Sequence, residues 1–185
     1  LDRLITDISR ASRVDAELAR EDVEPFDLCG LLGELAETYN EAEERDVQLH
    51  FVNEVRNGLV MGREVPLGQV FRNLIDNALT LSPEGGKISV FARRGHRHGK
   101  TSLVVTIEDE GPGIPEENLE TIFDRFYTER PKGAAFGSHS GLGLAISRQI
   151  VKAHGGQIYA VNRTGSEGQL LGARFTVDLP AAPAA

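Results

Sequence analysis

The chain has 185 residues, enough for one domain with a sizeable core and a short appendage. Hydrophobic residues make up 40% and charged residues 26%, which is typical of a globular protein. The formal net charge of −8 argues against a general nucleic-acid or acidic-membrane surface. A local phosphate site stays open, because such sites are built mainly from backbone N–H groups.

The cysteine content and the lengths of the apolar runs limit the cellular compartments that the sequence fits. Cys29 is the single cysteine, so neither an internal disulfide nor a cysteine-rich metal site can form, which fits a cytosolic location. No apolar run reaches about 18 residues and no signal peptide is recognisable. Because the first residue already falls in a helical pattern, one interpretation is that the chain is a fragment, and a membrane-spanning segment upstream of it stays open.

Helices and strands are mixed along the chain. The first stretch has apolar residues at helical spacing, and two readings are open for it: a helix packed on its own domain, or the end of a dimerising helix. Pro25 and Asp27 then mark a boundary and an N-cap. We predict helices at 28–44, 64–81 and 141–154, and strands at 47–52, 59–62, 87–93, 101–110, 157–162 and 172–179.

The connections between these elements also carry signals. A basic hairpin at 93–100, two short helical pieces ending near 127, and a loop of small and polar residues at 128–140 complete the chain. We interpret the hairpin as a solvated turn. The elements do not alternate strictly as strand–helix–strand, which favours an α/β sandwich with helices on one sheet face over a Rossmann fold.

The helix 64–81 has an apolar face and a polar face. The apolar face is predicted to comprise Leu67, Val70, Phe71, Leu74, Ala78 and Leu81, and the polar face Gln69, Asn73, Asp76, Asn77 and Thr80. Amides spaced four residues apart, as Asn73 and Asn77 are, can offer oxygen ligands to a hard cation. An asparagine face is also commonly just solvated.

A second motif lies at the end of the strand 101–110. In Asp109-Glu-Gly111-Pro-Gly113, the carboxylate can accept a hydrogen bond from an exocyclic amine such as that of adenine. The two glycines let the backbone pass close to a flat ring. An ordinary tight turn is the alternative.

A third motif is the glycine-led start of the helix 141–154. Ser140, Gly141, Leu142, Gly143 and Leu144 precede an apolar-periodic run. Free N–H groups at a helix start favour phosphate oxygens, although glycines at this spacing also serve close packing.

In this order, the motifs resemble those of the histidine-kinase branch of the ATPases that include gyrase, Hsp90 and MutL. Residues 73–78 are similar to the N box, 109–115 to the G1 box, 123–127 to the F box and 141–144 to the G2 box. Two short stretches, SPEGGKI and HSGLGLAI, are similar to alphaproteobacterial envelope sensors. The resemblance implies a two-layer α/β sandwich of the Bergerat type at 23–180, preceded by the end of a dimerisation helix at 1–22 and followed by a disordered tail at 181–185.

The resemblance also assigns roles to residues. It implies that the chain uses ATP and Mg²⁺, with Asn77 on the metal and Asn73 beside it. Asp109 would bind the adenine amine, with Gly111 and Gly113 shaping that wall. The backbone of 140–144 would meet the phosphates, and Phe123 and Phe126 would anchor a lid formed by 128–140.

Three positions depart from the family pattern. Thr80 stands where the family often has a basic residue, Leu81 replaces an aromatic residue, and His139 replaces the first glycine of the G2 box. We therefore expect charge neutralisation at the phosphates to fall to Arg130 or Lys132, and looser surroundings for the nucleotide at Leu81. For His139 we expect a lid or packing role.

The phosphoryl acceptor of the family is missing. It is a histidine followed by an acidic residue and a nearby proline, and none of His50, His96, His98, His139 and His154 has that context. His154 precedes two glycines at a helix end and is predicted to be structural.

The resemblance therefore implies a protein histidine kinase domain that phosphorylates a histidine on upstream dimerisation helices, in a homodimeric full-length protein. Its further partner would be a response-regulator receiver domain, with no nucleic acid and no direct membrane contact. We expect this fragment to be a monomer or weak dimer. Rival readings are a degenerate binding module, a gyrase-like ATPase that drives dimer closure and, less well supported, a serine-directed kinase that inhibits sigma factors.

Overall fold

The computed structural model describes residues 22–42, 47–125, 127 and 141–183. Three helices, seven strands and two 3-10 turns lie in this part of the chain. The helices are α1 (Leu28–Glu41), α2 (Glu64–Leu81) and α3 (Gly143–Ala153). The strands are β1 (Glu24–Asp27), β2 (Gln48–Asn53), β3 (Leu59–Gly62), β4 (Lys87–Arg97), β5 (Lys100–Glu108), β6 (Gln157–Thr164) and β7 (Leu170–Pro180). The 3-10 turns are Glu116–Asn118 and Thr121–Phe123.

Five strands form a mixed sheet in the order β2-β4-β5-β7-β6. The β2–β4 pair is parallel and the other three pairs are antiparallel. Along the strands the side chains alternate between two faces, and one face carries the fully buried apolar residues, among them Ile88, Val105, Ile107 and Val177. The three helices pack on that face. The predicted α/β sandwich with helices on one face is confirmed.

Local sequence signals set the helix ends. The side chain of Asp27 accepts a hydrogen bond from the Cys29 backbone N–H (3.0 Å), so the predicted N-cap of α1 is present. Helix α1 ends at Glu41, three residues before the predicted end, because Ala42 is already extended. Helix α2 has the predicted bounds and stops where Ser82 precedes a proline.

The start of α3 differs from the prediction by two residues. Gly141 has a φ of 71°, in the left-handed region, so it cannot belong to a right-handed helix. The first helical hydrogen bond runs from the Ile146 N–H to the Leu142 carbonyl (2.8 Å). The glycine-led segment is therefore a turn that ends at the helix.

A second, two-stranded sheet was not predicted. In it β1 pairs antiparallel with β3, and Val60 is fully buried. The strand β1 is short and contains Pro25, which hides it from a search for alternating patterns. Beyond the predicted domain end at 180, the N–H groups of Ala181 and Ala182 donate to the carbonyls of Thr101 and Leu59 (3.1 and 2.9 Å).

The basic segment 93–100 is mostly strand. Strands β4 and β5 extend to a turn of two residues, His98 and Gly99, with φ of 50° and 74°. Two positive φ values are the signature of the tight turn that matches strand twist. The segment is therefore a long hairpin with a two-residue tip, and not a solvated turn along its whole length.

Two predictions of the chain's organisation fall outside the described residues. They are the helix expected at 1–22, of which only Asp22 is described, and the last residues of the tail. Within the described residues, no helix is both long and apolar enough to span a membrane.

His154 connects α3 to the start of α2. Its Nδ1 lies 2.7 Å from the Ile150 carbonyl oxygen, and its Nε2 accepts a hydrogen bond from the Arg63 N–H (3.0 Å). These two bonds require a neutral ring with the proton on Nδ1. Burial lowers the pKa of His154, which favours the same neutral form. The predicted structural role fits this position between two helices.

The buried neutral His154 predicts a pH dependence of stability. Because the pKa of His154 is lowered in the folded state, the unfolded chain binds the proton more readily. The contribution of the neutral ring to the free energy of unfolding is therefore complete above the ordinary pKa of 6.5 and is lost as the pH falls below it. Urea unfolding at about pH 7.5 and about pH 5.5 measures how much free energy of unfolding the wild type and His154→Gln each lose on acidification. We expect the variant to be less stable at the higher pH by about 1–3 kcal/mol, but to lose less on acidification. Equal losses in the two proteins would contradict this role.

Candidate nucleotide site

The carboxyl end of β5 places Asp109 beside β7. The Asp109 backbone N–H donates to the Ala173 carbonyl (3.1 Å), so the ladder between these strands continues one residue past Glu108. The side chain is buried, with 2% of the residue exposed. A buried carboxylate needs hydrogen-bond donors, because its desolvation costs several kcal/mol in real proteins.

The two oxygens of the Asp109 carboxyl have different surroundings. Oδ1 accepts hydrogen bonds from the backbone N–H groups of Gly111 (2.9 Å) and Ala173 (3.0 Å). Oδ2 accepts none from the part of the chain that the structure describes. Burial raises the pKa of this carboxyl, while the two N–H groups and the Arg163 charge oppose the rise. The oxygen left for an external N–H donor is therefore Oδ2.

The predicted glycines of the following loop fit against protein neighbours. A Cβ on Gly111 would lie 2.9 Å from the Leu81 carbonyl oxygen, at the end of α2. Gly113 has a φ of 74°, and a Cβ there would lie 2.8 Å from Oδ1 of Asn162. Both positions need glycine because the loop packs closely on α2 and β6.

Asn162 and Arg163, which the sequence analysis did not single out, hold this loop from the edge strand β6. Asn162 accepts a hydrogen bond from the Ile114 N–H (2.8 Å) and donates one to the Ile114 carbonyl (2.6 Å). Arg163 donates to the Asp109 carbonyl (2.6 Å) and forms an ion pair with Glu108 (3.0 Å). The one signal for them in the sequence is a pair of polar residues at the end of a strand that otherwise favours apolar residues.

The polar face of α2 approaches the start of α3. The Asn73 amide donates to the Gly143 carbonyl (3.2 Å) and to the Ser147 hydroxyl (3.3 Å), so the structure places this predicted phosphate-region residue in a contact between the two helices. Asn77 is half-buried on the same helix, and its side chain makes no hydrogen bond with the described residues. Its amide oxygen is available to a ligand.

The two family departures on α2 have local contacts. The Thr80 hydroxyl donates to the Asp76 carbonyl (2.8 Å), an ordinary bond within the helix. Leu81, predicted on the apolar face, is 39% exposed, and Ile75 is buried in the core instead. The backbone of Leu81 lies against Gly111, and because the residue is exposed its side chain contributes little to the core.

The start of α3 leaves backbone donors without helical partners. The N-cap residue Leu142 provides no side-chain cap, and the N–H groups of Gly143, Leu144 and Ala145 precede the first helical hydrogen bond. With the helix dipole behind them, these groups favour an anion. Gly143 also lies close to Asn73, since a Cβ there would be 3.6 Å from that side chain's Cγ.

Phe123 belongs to the core. It is 2% exposed, meets Phe175 edge to face with ring centroids 6.2 Å apart, and lies under Arg148 (5.6 Å to the centroid). Arg148 also pairs with Asp124 (2.9 Å). These contacts hold the 3-10 turn, which precedes the predicted lid, against α3.

The remaining predicted site residues lie outside the described part of the chain. They are Phe126, Arg130, Lys132 and Ser140. Within the described part, no group of three or more His, Cys, Asp or Glu residues could hold a metal ion. A metal at this site would therefore depend on Asn77 and on ligand oxygens, as Mg²⁺ bound with phosphates commonly does.

The fold and site define the class of protein. The pattern of the histidine kinase-, DNA gyrase B- and HSP90-like ATPases matches residues 62–183, and the chain belongs to this family. The predicted resemblance to histidine-kinase domains is thereby confirmed.

The relatives identify a narrower group. The chain is 47% identical to the sensor protein ChvG of Rhizobium meliloti over 191 residues, which cover 99% of this chain and 32% of that protein. It thus spans about a third of the length of this relative, and the predicted similarity to alphaproteobacterial sensors is confirmed.

Solved structures agree with this assignment. Full-length ShkA in complex with AMPPNP has a TM-score of 0.77 at 26% identity, covering 99% of this chain and 36% of that one. Histidine kinase ThkA in complex with the response regulator protein TrrA has a TM-score of 0.71 at 26% identity, covering 98% and 49%.

Gly172 is a further residue on which the Asp109 geometry depends. Its φ is 139°, and a Cβ there would lie 2.0 Å from the Asp109 carbonyl oxygen. We expect Gly172→Ala to lower the free energy of unfolding by roughly 3 kcal/mol or more, since it combines backbone strain with a steric overlap. Gly168→Ala is the matched control, because Gly168 has a φ of 80° with no atom near its would-be Cβ, and should cost about 1–2 kcal/mol. Equal losses on urea unfolding would show that the overlap is relieved at little cost.

Proposed function

We propose that this chain binds Mg²⁺–ATP and transfers the γ-phosphoryl group to a histidine on a dimerisation domain outside the chain. One observation carries the proposal. The buried carboxyl of Asp109 has Oδ1 held by two backbone N–H groups and Oδ2 open, at the end of a strand in the fold of this family.

The adenine part of the proposal follows from hydrogen-bond chemistry. The exocyclic amine of adenine is a donor, and Oδ2 of Asp109 is an acceptor without a protein donor in the described chain. The backbone around Gly111 and Gly113 is closely packed on α2 and β6 and would form a firm wall for the base. A site built around one acceptor selects strongly for a base that carries the matching donor.

The phosphates would lie between α2 and the start of α3. Asn77 offers an amide oxygen and α3 offers unpaired N–H groups, and the Asn73 bonds to Gly143 and Ser147 hold the two helices together. Bound Mg²⁺ supplies neutralisation of phosphate charge, with Asn77 as its protein ligand. Arg130 and Lys132 stay our candidates for further neutralisation.

Phosphoryl transfer needs mainly positioning and charge stabilisation, which such a site would provide. The acceptor histidine would come from dimerisation helices, and the aspartate of a response-regulator receiver domain would receive the phosphate next. The complex of ThkA with TrrA supports this choice of partner. We place the activity on the cytoplasmic side of a homodimeric sensor protein, in keeping with the similarity to ChvG.

A transfer assay tests this function. The chain is mixed with radiolabelled Mg²⁺–ATP and a separately produced dimerisation domain that carries an acceptor histidine. We expect acid-labile phosphate on that domain. Asn77→Ala should reduce the rate by about 10²-fold or more, because the metal loses its protein ligand.

The matched control is the same change at the preceding residue, Asp76. Asp76 lies on the same helix but accepts a hydrogen bond from the Tyr39 hydroxyl (2.7 Å), so Asp76→Ala should keep the rate within a fewfold of the wild type. ATP hydrolysis without any phosphohistidine would favour a gyrase-like ATPase. Absence of nucleotide binding in a folded sample would favour a degenerate binding module.

A further inference from the structure

The loop 109–114 runs from the end of β5, past the start of β7, to the edge strand β6. At its first residue, Asp109 is bonded to Ala173 of β7, and at its last, Ile114 is bonded to Asn162 of β6. The loop is thus held at both ends by strands other than the one it leaves. Any change in β6 that moves Asn162 or Arg163 would be transmitted to the base-binding loop.

Arg163 is a charged residue that bonds directly to the backbone of Asp109. Its guanidinium donates to the Asp109 carbonyl (2.6 Å), and its Nε pairs with the Glu108 carboxylate (3.0 Å). Because the guanidinium is planar and rigid, its two bonds tie the backbone carbonyl of Asp109 to the side-chain carboxylate of Glu108 at the end of β5. The side chains of Arg163 and Glu108 are 24% and 13% exposed, so water screens this pair less than a surface pair.

Glu108 has a second cationic partner that serves as an internal comparison. Arg174 of β7 pairs with it (2.6 Å) across the sheet, and its side chain is 44% exposed. Arg174 has no bond to Asp109 in the described chain. Two arginines therefore share one carboxylate, and only one of them reaches the base-binding residue.

We propose that Arg163 is a positioning residue for nucleotide recognition, acting with Asn162 to hold the loop 109–114 so that Asp109 turns its free oxygen toward the base. The inference rests on the proposed ATP function and adds residues of β6 to it. Arg163 touches neither base nor phosphate in this account. It acts through the backbone of Asp109 and through its positive charge beside that carboxyl.

The charge has a consequence for the pH range of binding. Within the described residues, Arg163 from β6 is the charged side chain that acts on the Asp109 carboxyl. Glu108 from β5 pairs with Arg163 and with Arg174 of β7, and the Glu110 carboxylate accepts from the Lys87 N–H (3.0 Å). Burial raises the pKa of Asp109 and the Arg163 charge opposes that rise. A protonated carboxyl is a poorer acceptor for the amine, so binding should weaken as the pH falls through this pKa. Without Arg163 the weakening should begin at a higher pH.

The test compares Arg163→Gln with Arg174→Gln, and each variant is measured in two ways. The titration of the Asp109 carboxyl is followed by carbon NMR in the nucleotide-free protein, and Mg²⁺–ATP affinity is measured by calorimetry across the same pH range. We expect Arg163→Gln to raise the titration midpoint of Asp109, because the opposing positive charge is removed, and to weaken ATP binding about tenfold near neutral pH. Arg174→Gln should leave the midpoint in place and the affinity within about twofold.

A lysine at position 163 separates the effect of the positive charge from that of the guanidinium geometry. Arg163→Lys restores the charge without the planar fork, so it should return the midpoint toward that of the wild type while leaving part of the affinity loss. A purely structural role would not move the midpoint with charge in this way.

The outcomes are distinguishable. An unchanged Asp109 midpoint in Arg163→Gln, or equal effects of the two glutamine variants, overturns the role of Arg163 whatever the nucleotide does. If Arg163→Gln shifts the Asp109 midpoint but the wild-type protein binds no ATP, the proposed function is overturned, and with it the nucleotide part of this inference.

Discussion

The asymmetric hydrogen bonding of the Asp109 carboxyl is the interaction on which the site depends. Two backbone N–H groups hold Oδ1 at 2.9 and 3.0 Å, and Oδ2 has no donor from the described chain. Hydrogen bonds to a charged acceptor are worth about 1.5–3 kcal/mol each, so two of them offset much of the cost of burying the group. The open oxygen still lacks a donor, which is the physical reason that a ligand amine would bind there.

The rest of the fold fixes the position of this carboxyl. Gly172 lets β7 pass so close to Asp109 that any side chain would overlap its carbonyl, and Asn162 and Arg163 hold the loop from β6. On the other side of the site, Asn73 joins α2 to the start of α3. His154 joins the end of α3 to the start of α2, so α3, which would face the phosphates with α2, is joined to that helix at both of its own ends.

Much of the fold could be predicted because its signals are local. Helix α2 was predicted with its observed bounds from the apolar period and the Ser82-Pro83 stop, and the N-cap at Asp27 follows from its side chain. Strand β1 was missed because it is short and contains a proline. Of the site, Asp109 and its glycines follow from a contiguous motif. Asn162, Arg163 and Gly172 were missed because their contacts join residues about 50 to 60 positions apart, which one sequence does not reveal.

The most direct test of the account compares two nucleotides that differ at one position of the base. Inosine triphosphate has a carbonyl oxygen where ATP has the exocyclic amine, so it would set an acceptor against Oδ2 of Asp109. We predict that calorimetry with Mg²⁺ present shows inosine triphosphate binding at least about 100-fold more weakly than ATP, and that Asp109→Asn, which can donate to that carbonyl, removes most of the difference. Equal affinities of the wild-type chain for the two nucleotides would contradict the account, because Asp109 would then not be reading the base.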